Sequence, residues 1–79
     1  MRGLTEKQRR VLAYLTDGFY SAPALASLTA YPPRVIHQHL DALEKKGLVT
    51  SRNERRGDGV VRRIARITAD GIIALAVQP

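Results

Sequence analysis

The sequence predicts a single α+β domain, mostly helical, in which three helices precede a two-stranded β-hairpin and a short last helix. Apolar residues recur at helical spacing in three segments between residues 5 and 46. Two runs typical of strands then flank a basic segment that contains glycines, as expected of a hairpin. A length of 79 residues suits one modest core, so residues 1–79 are expected to form one domain.

The first helix is predicted to begin after Thr5. The Thr5 hydroxyl can accept from an early backbone N–H, and Gln8 stands three residues later as its partner in a capping box. Asp17 and the glycine after it predict that the helix ends near Asp17. The apolar side of this helix consists of Val11, Leu12 and Leu15.

Ser21 is predicted to cap a second helix of about two turns, with residues 24–28 as its body. Pro23 is tolerated in the first turn of this helix, where the missing backbone N–H is not needed. The pattern then breaks, because Pro32 disfavours helical geometry in the residue before it and Pro33 suits the first position of a new helix. A tight turn therefore separates the second helix from the third.

The third helix is predicted over residues 33–46. Ile36, Leu40 and Leu43 recur at i, i+4 and i+7 and give it one apolar side. Lysines near its carboxyl end and a glycine directly after it are typical of a helix end.

A basic β-hairpin follows. Residues 48–51 and 60–68 are predicted strands, and the glycines within 55–59 suit the tip. The chain has a net charge of +6, and residues 52–66, with six arginines and two acids, hold about +4 of it. Because concentrated positive charge attracts polyanions, the hairpin indicates a nucleic-acid partner.

A short last helix is predicted to open at Thr68, with Asp70 in its positive first turn. Its apolar residues are Ile72, Ile73, Leu75 and Ala76. The apolar segment 72–77 suits two roles equally, closure of the core and the interface of a homodimer, and the sequence leaves both open.

The composition argues against several classes of protein. The chain has no cysteine, so neither a disulfide framework nor a thiolate metal site is expected. His37 and His39 are two residues apart on a predicted helix and point in different directions, so no metal site is expected there either. The acids form no paired constellation and no glycine-rich phosphate loop follows a strand, so we expect no catalytic residues and no cofactor.

The sequence also carries expectations about location. No apolar run approaches the roughly 20 residues that span a bilayer, and no apolar signal segment follows the first residues. We therefore expect no membrane partner and a cytoplasmic protein, associated with the nucleoid if the source is a prokaryote.

Three segments resemble the winged helix-turn-helix domains of MarR/ArsR-type transcriptional regulators. These segments are 24–28 (ALASL), 33–49 (PRVIHQHLDALEKKGLV) and 67–71 (ITADG). The resemblance spans roughly residues 5–76. It implies that helix 33–46 enters the major groove of double-stranded DNA, while the hairpin, the wing of about residues 48–68, lies along the backbone or in the minor groove.

The sequence departs from these families in two respects. Pro32 stands where a Ser or Thr usually caps the recognition helix, so any phosphate contact there falls to backbone amides. The long flanking helices of MarR-like proteins, which form the dimer and part of an effector pocket, have no counterpart in 79 residues, so no small-molecule effector is expected.

The first two turns of helix 33–46 supply the candidate base-reading residues. Arg34 can donate bidentately to guanine, and Gln38 can bridge adenine. His37 has two open interpretations, contact with a base or phosphate and a local pair with Asp41 one turn later. The predicted base-reading set is Pro33, Arg34, His37 and Gln38.

The arginines of the wing are the candidates for backbone or minor-groove contacts, because a guanidinium matches phosphate geometry and can enter a narrow groove. Arg66 is kept apart from them, since it is equally placed to pair with Glu44 or Asp70. The predicted wing contacts are Arg52, Arg55, Arg56, Arg62 and Arg63.

These patterns together predict a sequence-specific, double-stranded DNA-binding transcriptional regulator, more specifically a repressor, and not an enzyme. Two alternatives remain open at this point. One is a protein-interaction or inhibitor module with the same fold, since winged helices also dock on proteins. The other is an architectural DNA binder without sequence preference, for which the basic wing would suffice.

Overall fold

A computed structural model describes residues 4–77. This part of the chain forms four helices and a three-stranded antiparallel sheet, which confirms the predicted α+β class. The elements in order are α1 (Glu6–Tyr14), a 3-10 turn (Leu15–Asp17), β1 (Tyr20–Ser21), α2 (Ala22–Thr29), α3 (Pro33–Lys45), β2 (Val49–Arg55), β3 (Val61–Ile67) and α4 (Ala69–Ala76).

The helix starts follow the capping residues in the sequence. Thr5 and Gln8 form the predicted capping box, in which the Gln8 amide donates to Thr5 Oγ1 at 3.1 Å and the Thr5 amide donates to Gln8 Oε1 at 3.2 Å. Ser21 Oγ accepts from the amide of Ala24 at 3.2 Å and caps α2. Pro32 precedes α3 without a side-chain cap, as the sequence indicates.

The turn between α2 and α3 is held by a buried threonine. Thr29 Oγ1 donates to the Leu25 carbonyl at 2.7 Å and accepts from the Tyr31 amide at 3.2 Å. Ala30 between them is left-handed, with φ 63°. The second contact satisfies the Tyr31 amide, which lies beyond the last turn of α2, and together the two contacts direct the chain into Pro33, the first residue of α3.

One core joins the helices to the sheet. The apolar sides of α1 and α3 meet there, and Ile36, Leu40 and Leu43 of α3 are fully buried. The other buried apolar members are Val11, Leu12, Leu15, Ala22, Leu25, Leu48, Val49 and Ala65. Because α3 buries one side in this core, its opposite side is left to solvent.

The sheet contains a strand that the sequence did not predict. Its order is β1-β3-β2, and β1 pairs with β3 through Tyr20↔Ala65 and Ser21↔Ile64. Two residues are too few to show the period of a strand, which explains the omission. β2 also extends to Arg55, farther than the predicted 48–51, because its polar outer half pairs with β3 up to Arg55↔Val61.

Helix α4 is fixed to the turn between α3 and β2. The Thr68 amide donates to the Leu48 carbonyl at 2.9 Å, and Thr68 Oγ1 donates to the Gly47 carbonyl at 2.7 Å. Gly71 is buried so close to this turn that an added Cβ would clash with the Leu48 carbonyl oxygen and lie 2.6 Å from Ile67 Cγ1. The two ends of the β2–β3 hairpin are therefore held side by side.

The apolar residues of the last helix divide between two sides of it. Ala74 and Leu75 pack against the core, whereas Ile72, Ile73 and Val77 are 54%, 58% and 71% exposed. The helix thus contributes to the core and also leaves an apolar side uncovered. Among residues 4–77, no helix has the length and apolar composition needed to cross a membrane.

Candidate nucleic-acid interface

The exposed side of α3 carries all the predicted base-reading residues. Pro33, Arg34, His37 and Gln38 are exposed, with Asp41 beside them one turn farther along. They lie opposite the buried side of the helix, as the helical period requires. We call this set of five residues the reading face.

The wing, which consists of β2, β3 and the turn between them, divides its arginines between two faces. Successive side chains of a strand point to opposite faces, and residues paired across strands share one. The pairs Asn53↔Arg63 and Arg55↔Val61 therefore lie on one face, whereas Arg52↔Ile64 and Glu54↔Arg62 lie on the other. The sequence alone gives no basis for dividing these arginines, and the strand register places them on different faces.

Arg63 occupies the junction between the wing and α3. Its Nη2 lies 2.9 Å from both Asp41 Oδ1 and Glu44 Oε1. Its Nε donates to Ser51 Oγ at 3.0 Å, and its Nη1 lies 3.3 Å from Nδ1 of His37. The Arg63 side chain is 16% exposed. These contacts, which we call the Arg63 bridge, join β3 to β2 and to α3.

This arrangement differs from the sequence-based expectations for the residues involved. The sequence predicts a backbone or minor-groove contact for Arg63, and in the structure its guanidinium contacts two carboxylates of α3. Asp41 pairs with Arg63 and not with His37. Glu44 also pairs with Arg63, while Arg66 lies over the Phe19 ring at 5.3 Å instead of pairing with Glu44 or Asp70.

The other four wing arginines differ in exposure. Arg52, Arg55 and Arg56 are exposed, and Arg62 is half-buried. Arg52 lies 3.5 Å from Glu54, but both side chains are largely solvated, so the pair contributes little stability. Arg62 Nε is buried and has no hydrogen-bond partner among residues 4–77.

A groove runs between the start of α2 and the wing. Its walls include Ala22 and Pro23 of α2, His37 of the reading face, and Arg52 and Arg62 of the wing. Sequence reasoning missed the part played by α2, because only β1 pairing with β3 brings the start of α2 beside the wing. It also missed Ser51 and Glu44, because the β2–β3 register and the packing of the wing against α3 bring them to Arg63.

His39 lies on the other side of α3 from the reading face. Its ring is 6.1 Å from that of Tyr31, and Lys7 lies over the Tyr31 ring at 5.8 Å. Burial, and secondly the positive charge of Lys7, lower the pKa of His39 below its ordinary value of 6.5. Within the described part of the chain, no three His, Cys, Asp or Glu residues are grouped to hold a metal ion.

Solved structures of bacterial regulators share this arrangement of helices and wing. The zinc-responsive MarR family member ZitR of Lactococcus lactis is 20% identical with a TM-score of 0.79, and the match covers 95% of this chain and 51% of that one. PadR of Bacillus subtilis, solved with operator DNA, is 19% identical with a TM-score of 0.82, at coverages of 95% and 51%. The chain is a winged helix-turn-helix domain. No family model and no curated protein matches the sequence.

The resemblance of this winged helix-turn-helix domain to MarR/ArsR-type regulators is thereby confirmed. A third structure, described as a possible transcriptional regulator for arsenical resistance, is 32% identical with a TM-score of 0.73, and the match covers 90% of this chain and 70% of that one. The chain spans 51% of the ZitR and PadR structures. Their similarity to it therefore concerns the winged helix-turn-helix domain and not their remaining parts.

Proposed function

We propose that this winged helix-turn-helix domain is a sequence-specific regulator that binds double-stranded DNA and represses transcription by occupying a promoter. The observation that carries the proposal is the exposed reading face of α3 beside a wing in which Arg52, Arg55 and Arg56 are exposed. A helix of this kind fits the major groove, and arginines beside it can bind the flanking backbone. We place this activity in the cytoplasm, at the nucleoid in a prokaryote, without a cofactor, a catalytic step or a small-molecule effector.

Base reading is assigned to the reading face. Arg34 and Gln38 are exposed and lie in the first two turns of α3, which approach the base edges most closely in this docking mode. A guanidinium pairs bidentately with guanine and an amide with adenine, and each such pair discriminates by about 1 to 3 kcal/mol. His37 and Pro33 complete the surface offered to the groove.

Backbone contacts are assigned to Arg52, Arg55, Arg56 and Arg62. The first three are exposed on the wing, and Arg62 lines the groove beside the start of α2 with a buried Nε that lacks a protein partner among residues 4–77. Contacts of this type position the protein on the duplex and carry no sequence information.

A two-fold operator is part of the proposal. One small domain contacts few base pairs, so useful specificity calls for two copies on two half-sites. Ile72, Ile73 and Val77 of α4 are exposed and apolar, and we assign the homodimer contact to them.

The test is selection of bound duplexes from a random library, followed by fluorescence anisotropy and a salt titration on the enriched sequence. Enrichment of one palindromic motif with a steep salt dependence would support the proposal. Binding of all sequences alike would replace it with an architectural role. No binding at low salt would overturn it and favour a protein partner for the same fold.

Four variants divide base reading from backbone binding. Arg34→Ala or Gln38→Ala should relax the preference at one position of the motif, whereas Arg55→Ala or Arg62→Ala should weaken all sequences alike and flatten the salt dependence. Lys45→Ala is the matched control, because Lys45 is exposed at the far end of α3 from the first two turns. Equal effects of the four variants on motif and random duplexes would contradict this assignment.

A further inference from the structure

The guanidinium of Arg63 has little capacity left for an outside ligand. Two carboxylates, Asp41 and Glu44, share its Nη2, and the Ser51 hydroxyl accepts from its Nε. Ser51 Oγ in turn donates to Glu44 Oε1 at 3.0 Å, so Arg63, Ser51 and Glu44 form a closed ring of contacts. A DNA phosphate would have to compete with two carboxylates at a group that is 16% exposed.

The same guanidinium determines how His37 can present its ring. Arginine carries only donors, so the contact between Arg63 Nη1 and His37 Nδ1 makes Nδ1 the acceptor. The hydrogen of the neutral imidazole then lies on Nε2, and His37 belongs to the exposed reading face. A single N–H donor on this face is complementary to the major-groove acceptors, which are purine N7, guanine O6 and thymine O4.

We propose that Arg63 is a positioning residue, which fixes the wing against α3 and orients His37 as a hydrogen-bond donor toward a base, and is not itself a phosphate contact. This inference rests on the proposed DNA binding. It makes His37 a specificity-determining residue whose selectivity depends on an arginine in the wing. Charge at position 63 is insufficient for this role, because Glu44, Ser51 and His37 each pair with a different nitrogen of the planar guanidinium, which a lysine ammonium cannot reproduce.

The experiment compares Arg63→Lys and Arg63→Gln with the same two substitutions at Arg56, an exposed arginine at the tip of the wing. Affinities are measured for the enriched duplex and for a scrambled duplex over a salt series. Both Arg63 variants should lower affinity for the enriched duplex about tenfold and affinity for the scrambled duplex by less than about twofold. Their salt slopes should equal that of the wild-type chain.

The Arg56 variants should behave in the opposite way. Arg56→Gln should weaken both duplexes alike and reduce the salt slope by about 0.9, and Arg56→Lys should restore much of the loss. Suppose instead that Arg63→Lys binds like the wild-type chain and that Arg63→Gln has a salt slope smaller by about 0.9. Arg63 then contacts a phosphate, and the proposal is overturned.

A second selection tests the orientation of His37. Arg63→Lys and His37→Ala should relax the base preference at the same position of the motif, because both remove the oriented Nε2 donor. Relaxation at unrelated positions, or at none, would overturn this part of the proposal. Thermal unfolding of each variant shows which of them are folded, and Arg63→Lys is the variant of choice since it retains the charge.

A double-mutant cycle keeps this inference separate from the proposed function. The denaturation midpoints of Arg63→Lys, Glu44→Gln and the double variant should be strongly non-additive if the two side chains bridge the wing to α3 in solution. Additive midpoints would overturn the bridge even if the domain binds DNA. If no duplex is bound by the wild-type chain, the proposed function fails together with the base-reading role of His37, and the cycle alone decides the bridge.

Discussion

The base and the tip of the wing carry the same type of residue in opposite surroundings. At the base, Arg63 is 16% exposed and contacts side chains of α3 and β2, two residues along β3 from the buried Ala65. At the tip, Arg55 and Arg56 are exposed. A guanidinium at the base is thus used by the protein itself, and one at the tip remains available to a partner.

The difference follows from how far each part lies from the core. The strands leave the core at Val49 and Ile67, and by Arg55 and Val61 both are exposed. Positive charge at the tip is solvated and screened by salt, whereas at the base it is partly desolvated and requires carboxylate partners. Stability should therefore respond to substitutions at the base, and the salt dependence of binding to substitutions at the tip.

The largest effect on stability is expected from substitution of a buried residue on the side of α3 that faces the core. Leu40 is fully buried, so Leu40→Ala should lower the free energy of unfolding by about 2–5 kcal/mol, because it removes buried apolar area and leaves a cavity. Leu28→Ala is the matched control, since Leu28 is 46% exposed. Urea denaturation measures both, and equal midpoints for the two variants would contradict the position of α3 on the core.

The next largest effect on stability is expected from glycine substitutions, one at the base of the wing and one at its tip. Gly71→Ala should cost about 1–3 kcal/mol or more, because its Cβ would clash with the backbone of Leu48 at the base of the wing. Gly57→Ala, at the tip, meets no atom within 4 Å and should change the free energy of unfolding by less than about 0.5 kcal/mol. Thermal unfolding of the pair tests this, and similar melting temperatures would show that α4 does not pack closely against Leu48.

A smaller effect on stability is expected for charge removal at the tip. Arg55→Ala combined with Arg56→Ala should change the free energy of unfolding by less than about 0.5 kcal/mol, because both residues are exposed. The same double variant should reduce the salt slope of DNA binding by about 1.8, since two phosphate contacts are lost. Calorimetry and anisotropy measure the two quantities. A clear loss of stability with an unchanged salt slope would place these arginines inside the fold.

The last prediction concerns the side of α3 away from the wing. The lowered pKa of His39 means that the unfolded chain takes up a proton at a higher pH than the folded chain. The free energy of unfolding should therefore be highest above about pH 6.5 and decrease as the pH falls below it.

Denaturation midpoints of the wild-type chain and of His39→Gln, measured from about pH 7.5 to about pH 5, isolate this contribution. The wild-type midpoint should fall relative to that of the variant as the solution becomes more acidic. A difference between them that does not change with pH would show that His39 titrates alike in the folded and unfolded chains.

Helices with regularly spaced apolar residues or a capping residue could be predicted from the sequence. Contacts that depend on strand register could not. The apolar spacing of Ile36, Leu40 and Leu43 predicts both α3 and its exposed side, and Thr5 and Ser21 predict two helix starts. Arg62 and Arg63, by contrast, are adjacent and identical, so alternation offers no contrast of polarity to show which one points inward. That direction depends on pairing with β2 and on acids in α3, which are 19 or more residues away along the chain.

The hydrogen bond between Thr68 Oγ1 and the Gly47 carbonyl, at 2.7 Å, brings together two points that enclose the whole wing. The wing therefore begins and ends at the same point of the fold. Its outer half is exposed and adds no residue to the core of the helices. Lengthening such a segment costs little, about 0.6 kcal/mol for each doubling of a flexible loop. The reach of the wing can therefore change by insertion or deletion near Gly57 and Gly59 while the bundle stays intact, so that the footprint on a partner evolves separately from the fold.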